Sequence, residues 1–182
     1  MNTMGTVCRL AGLMAVGGAA AAGGATAQDP PGVDSAVALV RARYAAIQGT
    51  RLDSTALAYT SPGGSGQAIR FRDAGQLRKL VVTFDGDGAS WRLEHFYWAD
   101  SLIFAFLRWE RFPETGPSRV SELRWYVAGG QVVRGAELGE DGRRRTLRPG
   151  DAGFARNAPG VLSTAACWRR YAEAGVEGET TC

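Results

Sequence analysis

The sequence predicts an α+β fold: an N-terminal amphipathic helix packed on an antiparallel β-meander of about six strands, with a C-terminal helix. Three observations predict it. Apolar residues early in the mature chain recur at steps of three and four. From Gly49 the period drops to two, broken by short polar or glycine-rich turns. Near Pro159 a helical composition returns. Turns this short force antiparallel neighbours, because a parallel pair needs a crossover of about a dozen residues or more.

The first 27 residues stand apart from that fold. They carry Arg9 and no acid, then a run of Leu, Ala, Val and Gly ending in Ala25-Thr26-Ala27, the small-x-small pattern of a signal-peptidase site. The run is too short and too weakly hydrophobic for a permanent span, which takes about 20 apolar residues. A signal peptide over residues 1–27 is therefore expected, giving a secreted protein of the bacterial periplasm or medium with no stable membrane span after cleavage. Cys8 lacks the upstream leucine of a lipoprotein site and leaves with the peptide.

Residues 28–182, 155 in number (182 less 27), suit a single α+β domain. A chain of that size buries about two-thirds of its unfolded surface and needs no metal to hold a core. Loss of Arg9 leaves 20 basic residues (21 less one) against 18 acidic ones, so charge gives no reason to expect nucleic acid as partner. Two cysteines remain, Cys167 and Cys182. An even pair in an oxidising compartment is most simply a disulfide, closing a loop of about 15 residues and contributing about 3 kcal/mol in the chain-entropy picture. A nucleophilic Cys167 served by His95 has no support beyond nearby arginines.

The elements follow in order. Asp34 is placed to cap a helix of about 14 residues whose stripe is Val37, Val40, Tyr44 and Ile47, stopped by Gly49. Leu57 and Tyr59 begin the alternation, SPGGSG (Ser61–Gly66) turns it, and strands follow at Ala68–Arg72 and Leu77–Phe84 around Asp73-Ala74-Gly75. That three-residue turn suggests a type I turn with a bulge. DGDG (Asp85–Gly88) leads into Trp91–Trp98. Further strands are expected at Val120–Val127, Val132–Leu138 and an Arg-rich edge at Arg143–Leu147, whose charges oppose pairing with another chain. The last helix is expected from near Pro159 to about Ala174, with Gly175 as its stop.

The most informative stretch is His95–Trp109, HFYWADSLIFAFLRW. Its polar break and length exclude a transmembrane helix. Read as a hairpin turning at Asp100-Ser101, it pairs Ala99 with Leu102 and Trp98 with Ile103. One face then carries Trp91, Leu93, His95, Tyr97, Phe104 and Phe106. The other carries Phe96, Trp98, Ile103, Leu107 and Trp109, with Arg92 stacked on Trp109. Both faces are apolar, whereas antiparallel sheets normally wet one. Burying one large side chain is worth about 1.5–3 kcal/mol, so the second face requires a cover: the C-terminal helix, a second copy of the chain, or an apolar small molecule.

Motifs of catalysis are lacking. GGSGQ misses the last glycine of a nucleophile elbow, and SPGGSG lacks the Lys-Ser/Thr of a phosphate loop. DGDG is followed by Ala89 and Trp91 where calcium ligands would continue. His95 is the sole histidine, so it reads as a core residue and no metal is expected. Glu94 and Glu110 fall on opposite hairpin faces in this register and cannot share a glycosidic bond. The sequence identifies no catalytic residue and calls for no cofactor. The favoured expectation is a binding or carrier module that uses Phe96, Trp98, Ile103, Leu107, Trp109 and Arg92. The alternatives are a structural protein self-associating through the same face, and an enzyme without a recognisable motif.

Overall fold

Val33, Val37, Val40 and Ile47 bury along one stripe of the first helix, α1 (Val33–Gly49), as the spacing of apolar residues requires. The computed structural model describes residues 32–182 except Gly63 and Asp87; the expected leader, Cys8 and Pro30-Pro31 lie outside the described residues. The strands are β1 (Asp53–Ser61), β2 (Gly64–Asp73), β3 (Gln76–Gly86), β4 (Ala89–Trp98), β5 (Ser101–Arg111), β6 (Arg119–Ala128), β7 (Gln131–Leu138) and β8 (Arg144–Leu147). Helix α2 (Ala152–Ala174) and a two-residue strand β9 (Gly178–Glu179) complete the chain. The α+β class holds, with nine strands among the described residues in place of about six.

Strands β1 to β8 form one sequential antiparallel meander, and β9 adds to its β1 edge. The β1–β9 pairing is parallel, an exception to the all-antiparallel expectation, because the chain reaches β1 from the far end of α2. Thr180 N donates to Thr60 O at 2.9 Å and Ala58 N to Glu177 Oε1 at 2.9 Å, which fixes the tail there. The Cys167 and Cys182 sulfurs are at bonding distance, with Cα atoms 5.6 Å apart, as the sequence suggested.

Three hairpins turn the same corner. Ala74-Gly75, Ala99-Asp100 and Gly129-Gly130 are two-residue loops in which both residues have positive φ, the geometry that matches the twist of the flanking strands. Each is followed, three residues on, by a bulge, at Arg78, Ile103 and Val133. A bulge bends its strand and puts two successive side chains on one side. Here Ile103 and Val133 join the core under α1, and Arg78 stacks on Trp98 at 5.4 Å. The bulges flank one cross-strand row, Lys79, Phe96, Phe104, Tyr126 and Arg134, which forms the bed of α1.

The central register therefore differs from the expected one. The turn sits one residue earlier, Trp98 faces Ser101 and Tyr97 faces Leu102; beyond the bulge, Phe96 faces Phe104 and Trp91 faces Trp109. A one-residue slip exchanges faces. Phe104 and Phe106 consequently join Phe96, while Leu107 and Trp109 join Leu93 and Trp91. The expected Arg92–Trp109 stack is absent: Arg92 faces Arg108 and its Nε donates to Glu94 at 2.7 Å. Glu94 and Glu110 share a face after all, but four residues apart along it, about 13 Å, too far for one glycosidic bond.

Both helices lie across the strands, one on each face. From β7, where Asp34 pairs with Arg134 at 2.7 Å, α1 runs to β3, where Ile47 and Thr50 bound a recess with Arg78. Asp34 thus serves an ion pair and caps nothing; Gly32, at φ 90°, occupies the cap position. On the other face α2 runs from Phe154 on Trp125 of β6 to Ala172, whose carbonyl accepts from Arg70 of β2 at 2.8 Å. It begins seven residues before Pro159, which lies inside the helix. Proline favours a first turn, but here Ala158 and Phe154 pack on β6 and β8, and that burial outweighs one lost backbone hydrogen bond. The second apolar face, with Phe96, Trp98 and Ile103, is covered by α1, whereas α2 covers Leu93, Tyr97 and Leu107.

Ala99 at φ 46° occupies a left-handed conformation that costs an L-residue about 1–2 kcal/mol. Ala99→Gly should stabilise the fold by roughly 0.5–1 kcal/mol after the greater unfolded-state entropy of glycine is allowed for. This would appear as a higher urea midpoint at constant slope. Burial lowers the His95 imidazole from 6.5 to about 4. Between those values the unfolded chain takes up a proton that the folded one refuses. Stability should fall by roughly 3 kcal/mol as pH drops from about 6.5 to about 4, and His95→Leu should flatten that interval. An unchanged slope in the variant would refute it.

Candidate functional site

Where α1 crosses the sheet, it covers the half nearest the three bulged hairpins. Along its flank a groove of about 370 Å³ opens between helix and strands. The sequence builds it from two periodicities. Val40, Tyr44 and Gln48, four apart, put one helix face along the groove, and Arg41 joins them at its rim. From the sheet, alternate residues face up: Lys79 on β3, Glu94 and Phe96 on β4, Phe104 and Phe106 on β5, Arg124 and Tyr126 on β6.

The floor is aromatic and interlocked. Tyr44 meets Phe96 at 4.7 Å and Phe104 at 5.2 Å, and Phe104 meets Tyr126 at 5.3 Å, all tilted or edge-on. Cations lie over three of the groove's rings. Lys79 Nζ is 4.9 Å from the Phe96 centroid, Arg124 Cζ 5.4 Å from Phe106 and Arg41 Cζ 5.6 Å from Tyr126. The bulges at Arg78, Ile103 and Val133 adjoin the row of Phe96, Phe104 and Tyr126, and a bulge bends its strand.

One carboxylate enters the groove. Glu94 accepts from Lys79 at 2.8 Å and from Arg92 at 2.7 Å. Burial pushes its pKa up, but the hydrogen bonds from Lys79 and Arg92 outweigh this and hold it below the usual carboxylate range. Arg124 donates to Glu122 at 2.6 Å outside the groove. The lining thus has three cations to one acid, and Arg41 has no carboxylate within 4.0 Å among the described residues. Such a lining attracts an anion and offers ring faces to a flat apolar body. Among the described residues no three His, Cys, Asp or Glu converge as a metal site.

The residues expected from sequence divide. Phe96 forms the floor, Ile103 is buried beneath α1, and Trp98 lies beyond it between Arg43 at 5.7 Å and Arg78 at 5.4 Å. Arg92 is exposed on the same face and orients Glu94. Leu107 and Trp109 belong to the opposite face. Sequence reasoning missed Arg41, Lys79, Glu94, Phe104 and Arg124 as neighbours. Lys79 carried a signal, being the chain's only lysine and set among apolar strand residues.

Lys79 and Glu94 side chains are each 13% exposed. Lys79→Met should cost about 2 kcal/mol at pH 7 by leaving a largely buried carboxylate to Arg92 alone. Because a depressed carboxylate stabilises the fold only while ionised, that cost should shrink as pH falls through the carboxylate range. Urea unfolding of the single variants and of Lys79→Met combined with Glu94→Gln, at both pH extremes, measures it. In comparisons of sequence and of fold, no family model, curated protein or solved structure matches this chain.

Proposed function

We propose that the protein is a non-catalytic binding or carrier module that takes, between α1 and the sheet, a small ligand with a flat apolar body and an anionic end. The observation that carries this reading is the ring of three cation–π pairs about a concavity of about 370 Å³, within the size range of small-molecule sites. An apolar body displaces water from the floor, and its anion meets cations already desolvated on one side by the rings. The leader-like residues 1–27 and the Cys167–Cys182 pair support action outside the cytoplasm, in the periplasm or medium.

A second reading, self-association, is favoured by two exposed aromatics, Trp109 (43%) and Phe112 (49%). One titration and one mass measurement separate the two. Anilinonaphthalene sulfonate, an aromatic anion, should bind the mature protein saturably and more weakly at high salt. Arg41→Glu should weaken it roughly tenfold, and Arg144→Glu on the β8 edge should not. Equal binding to Arg41→Glu would remove the groove from consideration. A native mass of two chains that reverts to one in Trp109→Ser would favour assembly.

A further inference from the structure

On the opposite face of the sheet, a second cleft of about 200 Å³ lies between α2 and strands β4 to β6. Leu93, Leu107, Leu123 and Trp125 make its sheet side, and Gly160, Val161 and Thr164 its helix side. His95 lines it too. This residue is 1% exposed, and its Nδ1 is fully buried with no hydrogen-bond partner. Neither ring nitrogen has a hydrogen-bond partner among the described residues, and buried ring nitrogens are ordinarily satisfied, so an unpartnered imidazole lining a cleft points to something that enters.

The helix above gives independent support. Pro159 and Gly160 follow one another in the middle of α2, and both weaken a helix. Gly160 has no positive φ, and a Cβ there would meet nothing within 4 Å. No packing contact demands glycine at a position where alanine favours the helix more. The missing side chain leaves free space on the helix side of the cleft.

We propose that this cleft is a binding site for a small one-ring phenol or alcohol, with its hydroxyl on His95 and its ring among Leu107, Leu123 and Trp125. Size selects one ring: a cavity of about 150 Å³ holds benzene, and this cleft is somewhat larger. Chemistry selects the hydroxyl. A neutral imidazole presents one donor and one acceptor, and a hydroxyl serves whichever faces it. The low pKa of His95 keeps the ring neutral at physiological pH. No cation lines the cleft, so a carboxylate would lose its hydration without compensation. The site thus differs in ligand from the cationic groove across the sheet and stands or falls separately.

His95 is the sole histidine, so an untagged ¹⁵N-labelled mature chain gives the imidazole signals of one residue. Titration with p-cresol should shift both ring nitrogens saturably, and p-xylene, lacking the hydroxyl, should bind roughly tenfold more weakly. Gly160→Leu should abolish the p-cresol shift while the amide spectrum remains that of a folded protein. Val161→Phe replaces it if Gly160→Leu does not fold. Imidazole signals unmoved by p-cresol, equal affinity for p-xylene, or unchanged binding in the blocked variant would each overturn the proposal.

Discussion

The fold depends on one constraint: the β4–β5 hairpin is apolar on both faces, and both must leave water. Phe96, Ile103 and Phe104 on one side, and Leu93, Tyr97 and Ala105 on the other, are all buried. At about 1.5–3 kcal/mol for each large side chain, leaving either set exposed would cost several kcal/mol, a large share of the net stability of a domain. Two helices, one before the meander and one after it, satisfy the constraint from opposite sides. Each also ties itself to the hairpin. Tyr44 of α1 wedges against Phe96 and Phe104, and Arg169 of α2 donates to the Asp100 carbonyl at 2.6 Å.

Bulges decide how well a helix can lie across strands. Helix α1, about 25 Å long, meets five strands, β3 to β7, and a flat sheet would touch it along a narrow line. The three aligned bulges bend the sheet and double the side chains offered at Ile103 and Val133. No further bulge interrupts β3 to β7 past the row of Phe96, Phe104 and Tyr126. Beyond it the face becomes a lattice of Arg92, Arg108, Glu110 and Glu122, held by ion pairs at the surface. The groove is the seam between those regimes, which is why rings and charges meet there.

Much of this was legible in the sequence. The α1 stripe, the alternation of the strands, the two-faced hairpin and the cysteine pair all follow from periodicity and composition. What failed was parity. Asp100-Ser101 looks like a turn, but the chain turns at Ala99-Asp100 because Trp98 can then pair with Ser101 while Arg169 holds the loop carbonyl from a helix distant in sequence. One residue of error sent Leu107 and Trp109 to the wrong face and hid the convergence of Lys79, Glu94 and Arg124. No local signal marks a bulge at Ile103, since its neighbours Leu102 and Phe104 are equally apolar. The early start of α2 was equally hidden, because Pro159 gives a local signal that packing by Phe154 overrides.

The short parallel strand at the end of the chain has a further consequence. Strand β1 would otherwise present a nine-residue row of open backbone groups, a template on which another molecule could extend the sheet. Glu177, β9 and Thr180 occupy part of that row, and the sulfur bridge leashes them to α2. Shelf life is thereby coupled to redox state: a reducing solvent would loosen the leash first and leave the rim of the sheet open to fibre-like growth while its interior stayed intact.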